Sequence, residues 1–303
     1  MNILLDNVNL TSTSGPNHFA SKLKKYMKRQ GSTFTLDKKV DAQLSFIQAT
    51  TSNPDVPLFQ RLDGIYFNSK QDFERLNQPI LQTYRASQGV IFQSNFNKEL
   101  TFRYFGHHSN STVIHNGADL EFIGSIPVLE NAQLDKHDNV WCCASSWRPH
   151  KRLDENIKYF LEHSSDKDCL VVAGANARSD MLNNDRIYYV GDLDIASLVS
   201  LYKRSKHFLH LAFLDHCPNV VVDAAASGCN IVCSSAGGTK EVALNGTIIQ
   251  EEEWDFQPIH LYDPPPMDFT KKLKNDCLTN IDMAYVASQY NNFLGENNEN
   301  NKP

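Results

Sequence analysis

The 303-residue sequence has no apolar run long enough to span a bilayer and no surplus of positive charge. Lys and Arg number 29 against 35 Asp and Glu, a formal charge of −6, so nothing supplies the basic surface a general nucleic-acid binder needs. The seven cysteines show no paired spacing: Cys142 and Cys143 are adjacent in an apolar run, and Cys217, Cys229 and Cys233 fall in one predicted unit. That pattern reads as small core residues of a reducing compartment, not as a disulfide framework or a zinc site. The opening MNILLDNVNL is short and broken by Asp and Asn, so it reads as a first strand and not as a signal peptide. The expectation is a cytoplasmic protein, in which the sequons at Asn9, Asn110 and Asn245 carry no weight. What is present, 41% hydrophobic and 21% charged residues, describes a globular chain with ample material for two domains.

Short apolar runs alternate with amphipathic segments, the pattern of βαβ units and parallel sheets. The first unit is NILL, a loop holding Ser14-Gly15-Pro16-Asn17, and the helix HFASKLKKYMKRQG. Strands follow at AQLSFIQ and GVIFQS, then a helix FNKELTFRYFG ending at Gly106, then a strand and turn in STVIHNGAD. A polar, weakly periodic stretch over residues 121–138 reads as a linker. Beyond it come NVWCCAS, RLDENIKYFLEH, DCLVVAG, RIYYVGDL, IASLVSLYKRS, KHFLHLAF and NIVCSS. IDMAYVASQYNNFL is helical in pattern, and residues 297–303 read as a disordered polar tail.

The segment FLDHCPNVVVDAAASGCNIVCSSAGGTKEV, residues 213–242, carries the most chemistry. Pro218 suits the first position of a helix, which puts Asp215 in the loop feeding that helix and Asp223 on the helix itself. Free N–H groups at a helix start bind anions. A phosphate there, flanked by two carboxylates, suggests a sugar nucleotide, with the diphosphate on the N–H groups and the carboxylates on ribose and sugar hydroxyls.

This segment resembles the acidic signature of retaining GT-B glycosyltransferases of family four (group 1): two Glu separated by seven residues, a small-residue turn, a strand, and Gly-Gly before another Glu. Here the two Glu are Asp215 and Asp223, each one methylene shorter, and the end of the signature is Gly237, Gly238 and Glu241. The resemblance implies two Rossmann-like domains facing a cleft. They would be an acceptor domain over residues 1–130 and a donor domain over 131–280, with a helix over 281–296 crossing back to the first domain.

It also implies roles for particular residues. In ASSWRPHKRLDENI the family keeps an Arg and, five residues later, a Lys, which neutralise the departing diphosphate. Lys151 matches the Lys; Ser146 stands at the Arg position, and Arg148 is read as its displaced substitute, with Arg152 on the surface. Asp215 would hold sugar hydroxyls and Asp223 the ribose. His216, Cys217, Asn219 and Val220 would meet the donor at the helix start. Gly15 matches the glycine turn near the donor phosphates, Asn116 the strand-turn element at the end of the first domain, and Gly174 and the backbone near Leu193 the loops that line the base. Asp63 in RLDG either orients the acceptor hydroxyl or opens a turn with Gly64.

The implied function is transfer of a sugar from a nucleoside diphosphate to a glycan, lipid-linked or other hydroxyl acceptor with retention. No cofactor, metal or nucleic acid is expected. The alternatives are a GT-B sugar-nucleotide epimerase and a non-catalytic nucleotide- or glycan-binding remnant. Asp192-Leu193-Asp194 has the spacing of a GT-A metal motif, but Asp194 reads better as the N-cap of IASLVSLY. Some family members sit on membranes through a basic helix; FASKLKKYMKRQG is read in preference as a solvated face.

Overall fold

The structure is a computed structural model that describes residues 1–12, 14–35, 39–177 and 184–299. The chain opens with β1 (Asn2–Asp6), α1 (Gly15–Arg29), β2 (Thr33–Phe34), β3 (Ala42–Phe46) and β4 (Leu58–Leu62). It continues with α2 (Phe73–Ala86), β5 (Gly89–Phe92), α3 (Asn95–Phe105), β6 (Ser111–Val113) and α4 (Leu120–Ser125). Next come β7 (Val140–Ala144), α5 (Leu153–His163), β8 (Cys169–Ala173), β9 (Ile187–Gly191) and α6 (Ile195–Arg204). The last are β10 (His207–His210), α7 (Asn219–Ala226), β11 (Asn230–Ser234), β12 (Thr247–Ile249), β13 (Lys272–Lys274) and α8 (Met283–Glu299).

These elements form two compact units. One holds Met1–Asp119, Phe256–Ile259 and the chain from Asn280 onward; the other holds Leu120–Asp255 and His260–Thr279. The chain therefore changes unit after Asp119 and not after residue 130. The expected linker contains α4, which packs on α7 in the second unit.

In the first unit the strands run in the order β2-β1-β3-β4-β5-β6, all parallel. α8 packs on α1, and Phe19, Leu23, Met27, Val286, Tyr290 and Leu294 share one buried core with strand residues such as Leu44 and Phe59. Gly117, in the turn after β6, lets the start of α8 come close, because a Cβ there would lie 2.9 Å from Val286 Cγ2 and 3.0 Å from Met283 Cα. α1 starts at Gly15, three residues earlier than the sequence pattern suggests, because proline is tolerated in a first turn whose N–H groups have no intrahelical acceptor. Residues 297–299 are helical where a tail is expected: Asn297 Nδ2 donates to Phe293 O at 2.6 Å, and Asn110 Nδ2 donates to Asn297 Oδ1 at 2.8 Å. The rest of that expected tail, residues 300–303, lies outside the described residues.

The second unit has the order β13-β12-β11-β10-β7-β8-β9, parallel except for the β12–β13 pair. From β7 the chain winds outward through β8 to β9, then returns to β10 on the other side of β7 and winds outward through β11 and β12. The order reverses between β7 and β10. In open α/β sheets, ligands bind beyond the carboxyl ends of the two strands at such a reversal. The two loops that leave this point span residues 145–152 and 211–218.

Candidate active site

Both loops are pinned before they present any functional group. The Trp147 indole donates to Ala173 O at 2.8 Å and its backbone N–H to Ala175 O at 2.9 Å, so the first loop is tied to the end of β8. Phe213 N donates to His150 O at 2.8 Å, which ties the two loops together. Asn156, fully buried on α5, donates to Arg152 O (2.7 Å) and Lys151 O (3.2 Å) and accepts from Leu211 N (3.2 Å). Arg152 takes the left-handed region at φ 51° and is buried, not on the surface. Its guanidinium forks onto Glu251, donates to Pro265 O at 2.7 Å, and lies 4.9 Å from the Phe213 ring centroid. A buried planar fork fits a carboxylate in this way.

This frame holds Lys151 Nζ 2.5 Å from Asp215 Oδ2. His210, the last residue of β10, places Nε2 2.8 Å from the same oxygen, and His216 N donates to Oδ1 at 3.0 Å. A carboxylate offers about four acceptor positions, and these donors occupy three of them. The Lys151 charge, with the His210 hydrogen bond, holds the Asp215 carboxyl well below the usual range against the cost of burial. Burial lowers the nearby rings as well, which favours their neutral form: His150 falls to about 3, His216 to about 4, and His210 is also lowered.

The Asp215 backbone is fixed as firmly as its side chain. Gly238 N donates to Asp215 O at 2.7 Å. Gly237 adopts φ +99°, and a Cβ there would come within 2.5 Å of that carbonyl. The Gly-Gly of the signature thus has a local reason: only glycine lets the β11 loop lie against Asp215. Gly174 is similar, with φ +106° and a Cβ position that overlaps the Ser145 carbonyl, which keeps the ends of β7 and β8 in contact.

α7 begins at Asn219, with Pro218 as its N-cap residue (φ −69°, ψ 124°) and not as the first helical position. Val221 N and Val222 N both reach Pro218 O. Asn219 and Val220 therefore head the helix beside Asp215. Cys217 is buried and Asp223, on the buried face of α7, lies within electrostatic reach of the Tyr202 hydroxyl. Arg148 is exposed on the turn that carries Lys151.

The remaining expected site residues belong to other elements. Leu193 follows β9 and lines, with Val190, Tyr189 and Leu134, a cavity of about 620 Å³. Asp194 caps α6, accepting from Ser197 N at 2.8 Å and from Ser197 Oγ at 3.1 Å. Three belong to the first unit. Gly15 is the first residue of α1, and Asn17 links Ser14 Oγ (2.9 Å) to Asn9 N (2.9 Å). Asn116 is buried, its Oδ1 accepting from Arg61 Nη2 at 2.6 Å. Asp63 is the ion-pair partner of the fully buried Arg61, beside a turn in which Gly64 takes φ +145°. Among the described residues no group of three or more His, Cys, Asp or Glu side chains is placed to hold a metal ion, and no helix is long and apolar enough to cross a membrane.

His210, Asn156 and the Arg152–Glu251 pair are absent from the sequence reading. A histidine at the carboxyl end of a strand, five residues before a signature carboxylate, is the one sequence signal that points to any of them.

Residues 129–255 match the family model for glycosyl transferases group 1. Among solved structures, the chain is similar to HepE from Anabaena in complex with UDP-glucose, at 13% identity over 98% of this chain and 100% of that chain, TM-score 0.69. It is also similar to sucrose-phosphate synthase from Thermosynechococcus elongatus, at 11% identity over 97% and 98% of the two chains, TM-score 0.67. The catalytic domain of starch synthase IV from Arabidopsis thaliana, bound to ADP and acarbose, aligns at 9% identity over 98% and 99%, TM-score 0.65. No curated protein matches the chain in sequence. The fold is GT-B, two Rossmann-like units with parallel sheets. Together with the family match over the second unit, it supports a glycosyltransferase.

Proposed function

We propose that the protein transfers a hexose from a nucleoside-diphosphate sugar to an acceptor hydroxyl with retention, without a metal. The observation that carries this reading is the Lys151–Asp215 pair, held at the strand-order reversal of the second unit and at the head of α7. Negative charge grows on the departing phosphate as the sugar becomes cation-like. Lys151, Arg148 and the N–H groups of Asn219 and Val220 meet that charge, a preorganised set worth most where charge develops. Asp215 takes a sugar hydroxyl at its remaining acceptor position, and Asp223 takes the ribose. The departing phosphate receives the acceptor proton on the same face, so a second carboxylate nucleophile of the kind used by retaining hydrolases is not required.

The test is proton NMR of reactions containing UDP-, GDP- or ADP-sugars with a panel of hydroxyl acceptors. The expected result is a new glycoside whose anomeric configuration equals that of the donor. An inverted product would overturn retention. An epimerised nucleotide sugar formed without acceptor would replace transfer with isomerisation.

A further inference from the structure

Three histidines surround the Lys151–Asp215 pair, and none has a part in the transfer just described. His150 and Arg148 belong to the turn after β7 that also carries Lys151; His216 follows Asp215 in the loop after β10; His210 closes β10. His210 differs from the other two, since its ring is hydrogen-bonded to the Asp215 carboxylate at 2.8 Å. The ring is almost fully buried and stacks over Phe208, with centroids 6.4 Å apart. The charges that act on it are Asp215 and Lys151. Burial lowers the ring most; in the free protein Asp215 favours its charged form and Lys151 opposes it, and the net shift is downward.

We propose that donor capture is proton-coupled: the donor's diphosphate draws Lys151 away from Asp215, and His210 then binds a proton from solvent and holds that carboxylate as its charged partner. The inference rests on the donor reading above. Its physical basis is the cost of leaving a buried anion without its partner. His210 already donates from Nε2 to Asp215 Oδ2, so a proton taken up at Nδ1 turns the ring into that carboxylate's charged partner with no movement of the chain. The same event makes the ring easier to protonate, because a positive neighbour has been replaced by a neutralised one. His150 and His216 start from about 3 and about 4, too low to respond near neutrality.

Calorimetric titration with UDP-glucose, GDP-mannose and ADP-glucose tests this, because these phosphate diesters do not themselves titrate near neutral pH. In two buffers of different ionisation enthalpy at pH 6.5, the heats should differ by the uptake of up to about one proton per donor bound. Affinity should then fall by up to about tenfold per unit rise in pH. His210→Gln keeps an N–H donor near the position of Nε2 but cannot titrate; it should bind donor with heats that no longer depend on the buffer, while His150→Gln keeps the dependence. Buffer-independent heats in a wild-type protein that binds donor would overturn the inference and leave the donor reading standing. So would undiminished uptake in His210→Gln. Failure of all three donors to bind the wild type would overturn the donor reading and the inference with it.

Discussion

Arg152 forks onto Glu251, Nη1 2.9 Å from one carboxylate oxygen and Nη2 2.7 Å from the other, one residue after the lysine that faces Asp215. Both side chains are nearly inaccessible to water. The pair fixes Arg152, the left-handed residue that follows Lys151, so it acts on the site through geometry and not by contact with substrate.

Removing one partner should therefore cost both stability and rate. Glu251→Ala leaves a buried guanidinium without its counter-charge, and it should destabilise the protein by about 3–5 kcal/mol. Urea melts measure that loss. Arg152→Lys, which retains charge but not the fork, should be milder in melts yet still lower turnover, since Lys151 is no longer held in register.

Lys151→Ala should lower turnover more than donor affinity, because its charge matters most as the phosphate departs. Steady-state kinetics with varied donor separates the two parameters. A change confined to the Michaelis constant would make Lys151 a binding residue only. Arg148→Ala should show the same kind of loss, and full activity in that variant would remove Arg148 from the site.

Much of this was legible in the sequence, for physical reasons. Buried parallel strands are short continuous apolar runs, so β1, β5, β7, β8 and β11 stand out, as do the helix over 283–294 and the spacing of Asp215 and Asp223. β4 escapes the pattern because LFQRL places Gln60 and Arg61 in the core. Their partners are tertiary: Gln60 donates to Ile47 O at 2.7 Å, and Arg61 donates to Asn116 Oδ1 at 2.6 Å and lies 4.3 Å from the Phe19 ring centroid. Arg152 reads as a surface residue for the same reason, since its partner lies 99 positions away. Polar residues with distant partners have no local signature.

Acid should destabilise the protein over a definite window. The pKa values of His150 and His216 are lowered to about 3 and about 4 in the native protein from an ordinary value of 6.5. Below pH 6.5 the unfolded chain binds protons at these rings and the native protein does not. Stability is thus full above that pH and falls as the pH drops toward 4, by up to about 1.4 kcal/mol per pH unit for each ring. Thermal melts from pH 7.5 to 4.5 check this, and His150→Gln should flatten the slope. A slope that is unchanged in that variant would remove His150 as a contributor.

Activity should survive EDTA. Both oxygens of Asp194 are already engaged by Ser197 at the start of α6. Asp192→Asn with Asp194→Asn should cost little stability, since Asn caps a helix about as well as Asp, and turnover should be retained. An enzyme silenced by EDTA and rescued by manganese, together with an inactive double variant, would place a metal on these residues.

The most direct test of the central claim, that the loops at the reversal between β7 and β10 hold a nucleoside diphosphate, is a thermal-shift titration of the wild type and Asp223→Ala with UDP, GDP and ADP. A ligand that binds only the folded protein raises its melting temperature with concentration. One of the three should stabilise the wild type in a saturable way, and Asp223→Ala, lacking the carboxylate assigned to the ribose, should need a markedly higher concentration for the same shift. No shift of the wild type with any of the three, or an equal response from a folded Asp223→Ala, would contradict the account.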